Sequence, residues 1–244
     1  LDGFLRHRAV RYEALLHLGI ETDTQDATGN KTAERRVPDC SEAEIQDVFG
    51  SFTGLLHQIP PVYSALKHKG VPLYKHARRG KPIQKPARQI VILALEIIKI
   101  ALPYIRFEVT CSAGTYIRTL GADIGSALGC GGHLKALRRT QSSGFSIADA
   151  MTLEVFEKRA AGETFSRYAV GMTEALKDMP EWTADQNLKG SILNGVPLTQ
   201  KDVAPEELPG KNRFIKVVDE NRELLAVIEQ NEASGESHYC CVFN

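Results

Sequence analysis

Arg118 stands where a positive side chain is unexpected, in the first turn of a predicted helix. The preceding segment, 104–111, alternates apolar and polar residues as a half-buried strand does, and Gly114 ends it. Thr115 is then the predicted N-cap, because apolar residues follow at helical spacing, namely Ile117, Leu120, Ile124 and Leu128. A cation at a helix start opposes the helix dipole by roughly 0.3–1 kcal/mol when exposed. We therefore expect Arg118 to have an anionic partner, either a carboxylate or a phosphate.

A run of charge of one sign is the second feature with chemical meaning. The 244 residues carry 30 Lys and Arg against 30 Asp and Glu, so the formal net charge is zero. No acid occurs from Val48 to Leu95, however, and the basic residues of that stretch are Lys67, Lys69, Lys75, Arg78, Arg79, Lys81, Lys85 and Arg88. A solvated charge run usually mixes both signs. This basic segment therefore favours a polyanion site, where these side chains contact a nucleic-acid backbone.

A glycine-rich turn is the third candidate site. Gly129 to Gly132 are predicted to lead into a short helix ending near Arg139, whose free backbone N–H groups can cradle an anion such as a phosphate. Basic side chains follow closely in sequence: His133, Lys135, Arg138 and Arg139. Cys130 and His133 have the spacing of half a metal site, but no matching second pair follows them. We expect a structural thiol and a buried or phosphate-facing histidine, and no metal.

The patterns between these sites predict the elements that position them. The predicted strands are 12–20, 89–100 and 104–111, with a turn near Pro103. Ser41-x-x-Glu44 is a capping box ahead of one helix, and Thr152 opens another. The polar turn 23–29 is predicted to be a hairpin connection rather than a cation loop, since most cation-ligand positions are absent. Within the basic segment, 73–79 predicts a short helix closed by Gly80.

Past Pro180 the pattern changes to short strands, predicted at 192–198, 214–218, 223–228 and 239–243. These strands predict a small β-barrel domain. The longest apolar run, Ile90 to Leu95, is too short to span a bilayer. Five cysteines without a Cys-x-x-Cys pair are typical of a reducing compartment, which favours the cytoplasm.

The motifs of the chain are Arg11-Tyr12-Glu-Ala, Gly19 through Gly29, Ile59-Pro-Pro-Val-Tyr63-Ser-Ala-Leu-Lys67, Gly70 through Gly80, Gly114-Thr-Tyr116-Ile-Arg118, and Leu128 through Arg139. Together they resemble the TruB-type pseudouridine synthases, which isomerise a uridine in the T-loop of transfer RNA. The resemblance covers most of residues 1–155 in the family's order. The small C-terminal domain resembles, less specifically, the PUA-like module of many pseudouridine synthases.

The resemblance implies roles for individual residues. Tyr12 would stack on the extruded uracil and assist removal of a proton, although its spacing alone fits a core tyrosine. Arg118 would pair with the catalytic aspartate of the family. Tyr116 and Leu137 would wall the pocket, although Leu137 alone reads as a core leucine and Tyr116 fits a cap over an apolar face. RNA contacts would come from Lys67, Lys69, Arg78, Arg79, Lys81, His133, Arg138 and Arg139, and neither a cofactor nor a metal is implied.

One family motif is missing from the sequence. Members of the family carry a Gly-x-Leu-Asp motif, with the catalytic aspartate, ahead of the region that Leu1 begins. We interpret the chain as an N-terminally truncated piece of a longer enzyme, inactive by itself. The alternative is a copy that never had the aspartate.

The predicted fold is a mixed α/β pseudouridine-synthase catalytic domain, 1–180, with a basic insertion at about 60–88. A small all-β, PUA-like barrel follows at 185–244. The predicted function is conversion of a T-loop uridine of transfer RNA to pseudouridine. The enzyme is predicted to be a cytoplasmic monomer that binds no membrane and needs no obligate protein partner. A non-catalytic RNA-binding protein on the same scaffold is the alternative. A protein-guided subunit of a larger particle would need a partner-binding surface that the sequence does not identify.

Overall fold

The computed structural model describes residue 4 and residues 9–160, 169–199, 214–230 and 237–243. The chain divides into two compact units, Arg6–Ala150 and Met151–Asn244, the latter together with Leu1–Leu5. The two units meet in sequence between Ala150 and Met151, and the domain boundary predicted near residue 180 stays a prediction.

The first unit is built on one antiparallel sheet. Its elements in chain order are β1 (Val10–Leu18), β2 (Ile20–Thr22), β3 (Lys31–Glu34), α1 (Glu42–Ser51), β4 (Gly54–Gln58), β5 (Lys67–His68), β6 (Val71–Pro72), α2 (Leu73–Arg78), β7 (Arg88–Ala101), β8 (Tyr104–Cys111), α3 (Ile117–Ala127), β9 (Gly132–Ser142), β10 (Phe145–Ser146) and a 3₁₀ turn, Ile147–Asp149. Six strands form the sheet in the order β10-β9-β1-β8-β7-β4.

Alternation along the central strands places the core on one face of the sheet. Ala14, Leu16 and Leu18 of β1 are buried, as are Ile105, Phe107, Val109 and Cys111 of β8. Helix α1 begins at the predicted capping box, with Ser41 and Glu44 bonded to each other's backbone N–H, and Phe49 of this helix meets Phe107 edge to face at 5.5 Å. Each fully buried Val, Leu, Ile or Phe side chain stabilises the fold by roughly 1.5–3 kcal/mol.

Helix α3 packs against the start of β9 at very short range. A Cβ atom at Gly125 would lie 2.5 Å from the carbonyl carbon of Gly131, so this crossing requires a glycine. Ile117, Leu120 and Ile124 of α3 are buried in the same core, which confirms the helical spacing predicted for them. The contact fixes the C-terminal part of α3 against the sheet.

The prediction of a helix from Gly129 to Arg139 was wrong. Residues 132–142 form β9, paired with β1 along its whole length. Leu, Lys, Ala and Arg favour a helix locally, but β1 offers a full set of hydrogen-bond partners. Register shifts at Arg11/Tyr12 and Leu15/Leu16 also break the period-2 pattern that would have revealed the strand.

The second unit contains a four-stranded sheet with a helix packed on it. Its elements are α4 (Leu153–Ala160), α5 (Met172–Ala175), β11 (Glu181–Thr183), α6 (Gln186–Leu193), β12 (Phe214–Val218), β13 (Leu224–Gln230) and β14 (Ser237–Val242). The strand predicted at 192–198 was wrong: Asp185 caps α6 through the N–H of Leu188 at 2.8 Å, and Ile192 is buried on the helix. The three later strands are confirmed. This C-terminal sheet is consistent with a PUA-like module.

Among the described residues, no helix combines the length and apolar composition needed to cross a membrane.

Candidate active site

A cavity of about 420 Å³ brings together four residues predicted from distant parts of the sequence. Tyr12, Tyr116, Arg118 and Leu137 all line it. The sheet explains their convergence, because Ala14 pairs with Leu137 across β1 and β9, which places Leu137 on the face that carries Tyr12. Tyr12 is half-buried, and Leu137 is 44% exposed, which is unlike a core leucine.

Tyr116 is held at the start of α3 by a buried amide. Gln58, at the end of β4, accepts from the Tyr116 N–H at 2.8 Å and donates to the Tyr116 carbonyl at 3.0 Å. Tyr116 is the N-cap of α3 in place of the predicted Thr115, whose hydroxyl donates to the Ser112 carbonyl at 2.9 Å. The Gln58 clamp thus fixes the peptide of a cavity residue, and the sequence analysis did not identify it.

Arg118 lies in the first turn of α3 as predicted and has an anionic partner within the chain. Its Nη1 donates to Asp26 Oδ2 at 3.0 Å and to the Thr24 carbonyl at 2.9 Å. Its Nη2 donates to the Tyr63 carbonyl at 2.8 Å. The side chains of Arg118 and Asp26 are only 23% and 26% exposed, so this ion pair is less screened by solvent than a surface pair.

Asp26 is held tightly by its own turn. Its Oδ1 accepts from the Thr24 hydroxyl at 2.8 Å, from the Thr28 N–H at 2.9 Å and from the Thr28 hydroxyl. Burial acts to raise the pKa of Asp26, but the hydrogen bonds from Thr28 and Thr24 and the charge of Arg118 outweigh it, so the pKa lies below its ordinary value. A carboxylate with both oxygens engaged is a poor nucleophile, and Asp26 therefore positions Arg118.

The link between the polar turn and Arg118 is not visible in the sequence pattern. The turn does connect two antiparallel strands, β2 and β3, which confirms the predicted hairpin. The turn also binds Arg118, and this second role arises only when α3 packs beside the turn. The only available signal was an aspartate in a Thr-Asp-Thr-Gln-Asp run lying far from the helix in sequence.

Both cavity tyrosines carry an arginine over the ring. The guanidinium of Arg139 lies 5.4 Å from the Tyr12 ring centre, and that of Arg88 lies 5.0 Å from the Tyr116 ring centre. With Arg118, the described residues lining the cavity include three arginines and no carboxylate. The cavity is therefore suited to a flat, polar ligand that carries or adjoins negative charge.

The basic segment folds as a small unit of its own between Gln58 and Arg88. Strands β5 and β6 form a hairpin, and α2 follows, with Leu73 fully buried. The cations predicted to bind RNA are exposed there: Lys67, Lys69, Arg78, Arg79 and Lys81. Arg88 differs from them because it lines the cavity instead of the segment's outer surface.

Three of the predicted RNA contacts, His133, Arg138 and Arg139, lie outside the basic segment. His133 is 5% exposed, and its Nδ1 is 2.8 Å from the Ile20 carbonyl oxygen, which speaks against a phosphate contact. Arg138 pairs with Glu13 and Arg139 with Tyr12, so neighbouring arginines point to opposite faces of the sheet. Arg139 faces the cavity, whereas Arg138 does not. Because residues 132–142 form a strand, the predicted phosphate cradle at a helix start does not exist.

A larger cavity of about 1080 Å³ lies in the second unit. Its cations are already neutralised, since Lys189 pairs with Asp219 at 2.7 Å and Arg222 pairs with Glu181 at 3.0 Å. The smaller cavity of the first unit is therefore the better candidate for chemistry.

Two family models match most of the chain. The family model described as TruB family pseudouridylate synthase (N terminal domain) matches residues 3–117. The model described as tRNA pseudouridylate synthase B C-terminal domain matches residues 118–179. The join between the two models falls between Ile117 and Arg118, so the cavity draws on both matched regions.

Curated relatives and solved structures extend the match. A tRNA pseudouridine synthase B of Burkholderia mallei is 38% identical over 221 residues, covering 91% of this chain and 72% of the relative. Another from Xanthomonas axonopodis pv. citri is 45% identical over 168 residues, covering 67% of this chain and 54% of the relative. The fold resembles a chain of an H/ACA ribonucleoprotein bound to a substrate RNA containing 2′-deoxyuridine, with a TM-score of 0.69 and 22% identity, over 99% of this chain and 68% of that one.

Proposed function

This chain belongs to the TruB family of pseudouridylate synthases, and we propose that it is the RNA-binding and pocket-forming part of an enzyme that converts a T-loop uridine of transfer RNA to pseudouridine. The observation that carries the proposal is the convergence of Tyr12, Tyr116, Arg118 and Leu137 on one cavity. The tRNA pseudouridine synthase B names of its relatives support the substrate class.

The isomerisation needs no cofactor for its atom balance. The bond from ribose C1′ to N1 breaks, the uracil rotates, and a C1′–C5 bond forms. C5 then loses a proton and N1 gains one, so substrate and product have the same composition and oxidation state. The residues must therefore supply binding, orientation and proton transfer.

The walls of the cavity serve base extrusion. Taking a nucleotide out of its stack costs on the order of a few kcal/mol, which stacking and apolar contact in a pocket offset. Tyr12 and Leu137 lie on neighbouring strands and supply an aromatic and an aliphatic surface. The hydroxyl of Tyr12 is the group we assign to late removal of the C5 proton.

Arg118 is suited to orienting a carboxylate. A guanidinium has five N–H donors, and the bonds to Thr24, Asp26 and Tyr63 use three of them. Within the described ranges the two remaining donors have no partner, so they can bind a second carboxylate. A guanidinium held by fixed partners presents those donors in a defined direction, which lowers the pKa of the carboxylate it binds and fixes its orientation.

We assign the nucleophilic carboxylate to an aspartate outside these 244 residues, as the family motif implies. Asp26 is engaged on both oxygens. The exposed cations of the basic segment would hold the RNA backbone, with Arg139 at the cavity. We further propose that the enzyme acts in the cytoplasm on transfer RNA without a protein partner.

Tritium release tests the function directly. A T-arm stem-loop containing 5-tritiated uridine loses its label to water when the C5 proton leaves. The complete enzyme is expected to release tritium from the target position, and an RNA with cytidine at that position is the matched control. Tight RNA binding without tritium release would favour the non-catalytic RNA-binding alternative.

A further inference from the structure

The two ends of the basic segment meet at the wall of the cavity. Gln58 ends β4, Arg88 begins β7, and the two residues are paired across the strands. Residues 59–87 therefore leave the sheet and return to it at this single pair. Both side chains reach the same stretch, 114–116, which carries Tyr116. We call the Gln58–Arg88 pair the root of the basic segment. It is bonded directly to the cavity wall at 114–116.

Arg88 is fitted closely to that wall. Its guanidinium carbon lies 5.0 Å from the centre of the Tyr116 ring, and its Nη2 donates to the Gly114 carbonyl. Gly114 has a φ of +84°, and a Cβ atom there would lie 3.3 Å from Arg88 Nη2. The backbone at 114 is therefore shaped to admit this side chain. Within the described part of the chain, the buried Nε of Arg88 has no hydrogen-bond acceptor.

Gln58 and Arg88 fix different parts of Tyr116. The Gln58 amide is 3% exposed and is bonded to both the N–H and the carbonyl of Tyr116, so it fixes the peptide. A fixed peptide still leaves the side-chain torsions free. Arg88 contacts the ring itself. The direction of the ring in the cavity therefore depends on Arg88.

We propose that Arg88 is a positioning residue that couples capture of RNA by the basic segment to the placement of the Tyr116 ring. RNA phosphates that bind the exposed cations would pull on residues 59–87. This segment rejoins the sheet at Arg88. A shift of that root moves the guanidinium, and the ring follows it. This inference rests on the proposed function, since it takes the segment as the RNA-binding surface and the cavity as the uridine pocket.

Single-turnover kinetics at saturating T-arm RNA test the coupling in the complete enzyme. Arg88→Gln is expected to lower the rate about ten- to a hundredfold, because small displacements of a pocket wall have effects of that size. Its RNA dissociation constant should change by less than about threefold, since Arg88 lines the cavity and is not one of the exposed cations assigned to the RNA backbone. Arg88→Lys keeps the charge but not the flat guanidinium, and an intermediate rate is expected.

Arg78→Gln is the matched control on the same segment. Its guanidinium also lies over a tyrosine ring, that of Tyr74 at 5.4 Å, but outside the cavity. This variant should show the opposite division: its RNA dissociation constant should rise more than that of Arg88→Gln, and its rate at saturation should fall far less. If Arg88→Gln also weakens binding alone, Arg88 is one more phosphate contact and the coupling is wrong.

A double-mutant cycle shows whether Arg88 acts through the ring. In a Tyr116→Leu background, Arg88→Gln should have no further effect on the single-turnover rate, because the ring it positions is gone. Equal rate losses in both backgrounds would overturn the inference. Thermal unfolding of each variant separates these effects from loss of fold.

Hydrogen exchange supplies a readout that does not depend on turnover. RNA should slow amide exchange across residues 112–118 in the wild type and, at saturation, in Arg78→Gln, but not in Arg88→Gln. If the enzyme forms no pseudouridine but shows this exchange pattern, the proposed function is wrong and the coupling through Arg88 stands. An active enzyme whose Arg88→Gln variant exchanges and reacts as the wild type does would keep the function and lose the coupling.

Discussion

Arg118 combines a structural task with a chemical one. Its contacts reach two loops that are distant in sequence, through Asp26 and the carbonyl of Tyr63. The position opposes the helix dipole, and the carboxylate of Asp26 compensates for that cost. Lysine has the same charge but a single nitrogen, so it cannot bind both loops and still present a planar pair of donors.

Arg118→Lys in the complete enzyme is therefore expected to reduce single-turnover chemistry by at least about a hundredfold while RNA affinity stays within about threefold. Arg106→Lys is the control, because Arg106 lies on the other face of the sheet and pairs with Glu13. Rapid-quench kinetics and filter binding give the two quantities. Near-normal chemistry with weakened binding would identify Arg118 as a phosphate contact.

Asp26→Asn is expected to destabilise the fold by about 1–3 kcal/mol at neutral pH, because it removes the charged partner of a partly buried guanidinium. The folded-state pKa of Asp26 lies below its ordinary value of 3.8, so its contribution is complete above that pH and is lost as the pH falls through the folded-state pKa.

Urea unfolding at pH 7 and in acid measures this prediction. The difference between wild type and Asp26→Asn should shrink in acid. Asp47→Asn, at an exposed helix position, should change the unfolding free energy by less than about 0.5 kcal/mol. A difference that is the same at both pH values would show that Asp26 does not act through its charge.

The sequence predicted the elements of the first unit where local pattern and pairing agree. Strands β1, β7 and β8 and helices α1 and α3 were found because their periodicity survives in the fold. Strand β9 was missed because its residues favour a helix locally and bulges within β9, at Lys135 and Thr140, interrupt its alternation. The four cavity residues were recognised through motifs. Gln58 and Asp26 were not recognised, since their roles exist only after distant segments meet Tyr116 and Arg118.

The exposed arginines of the basic segment are expected to bind the RNA backbone and not its bases. Replacing Arg78 and Arg79 with Ala should weaken binding to all T-arm sequences alike. The slope of log affinity against log salt should fall by at most about one unit per contact removed, because each phosphate contact releases condensed counterions. Single-turnover chemistry at saturation should be retained.

Fluorescence anisotropy at several salt concentrations measures that slope. Arg35→Ala with Arg36→Ala is a matched pair, since both arginines already pair with acids, Glu21 and Asp39, and their loss should leave the slope unchanged. An unchanged slope for the Arg78 and Arg79 variant, or a loss confined to one T-arm sequence, would contradict a backbone contact.

At the scale of the whole molecule, charge is separated along the chain. The acid-free stretch from Val48 to Leu95 belongs to the first unit, whereas nine acids against four bases follow from Asp202 onward. The neutral total therefore conceals a locally basic surface on the unit that holds the cavity. RNA should be drawn to that unit at low ionic strength.

The last prediction concerns the 244 residues as a whole. The cavity has arginines and aromatic walls for a flipped base, and the basic segment has exposed cations for its backbone, so the isolated chain should bind T-arm RNA with a marked salt dependence. It should release no tritium from 5-tritiated uridine, because the nucleophilic aspartate is assigned outside it. The complete enzyme is the positive control, and its Arg118→Ala variant shows whether binding survives without chemistry. Pseudouridine formed by residues 1–244 alone would refute the external nucleophile and require a carboxylate within the chain to reach ribose C1′.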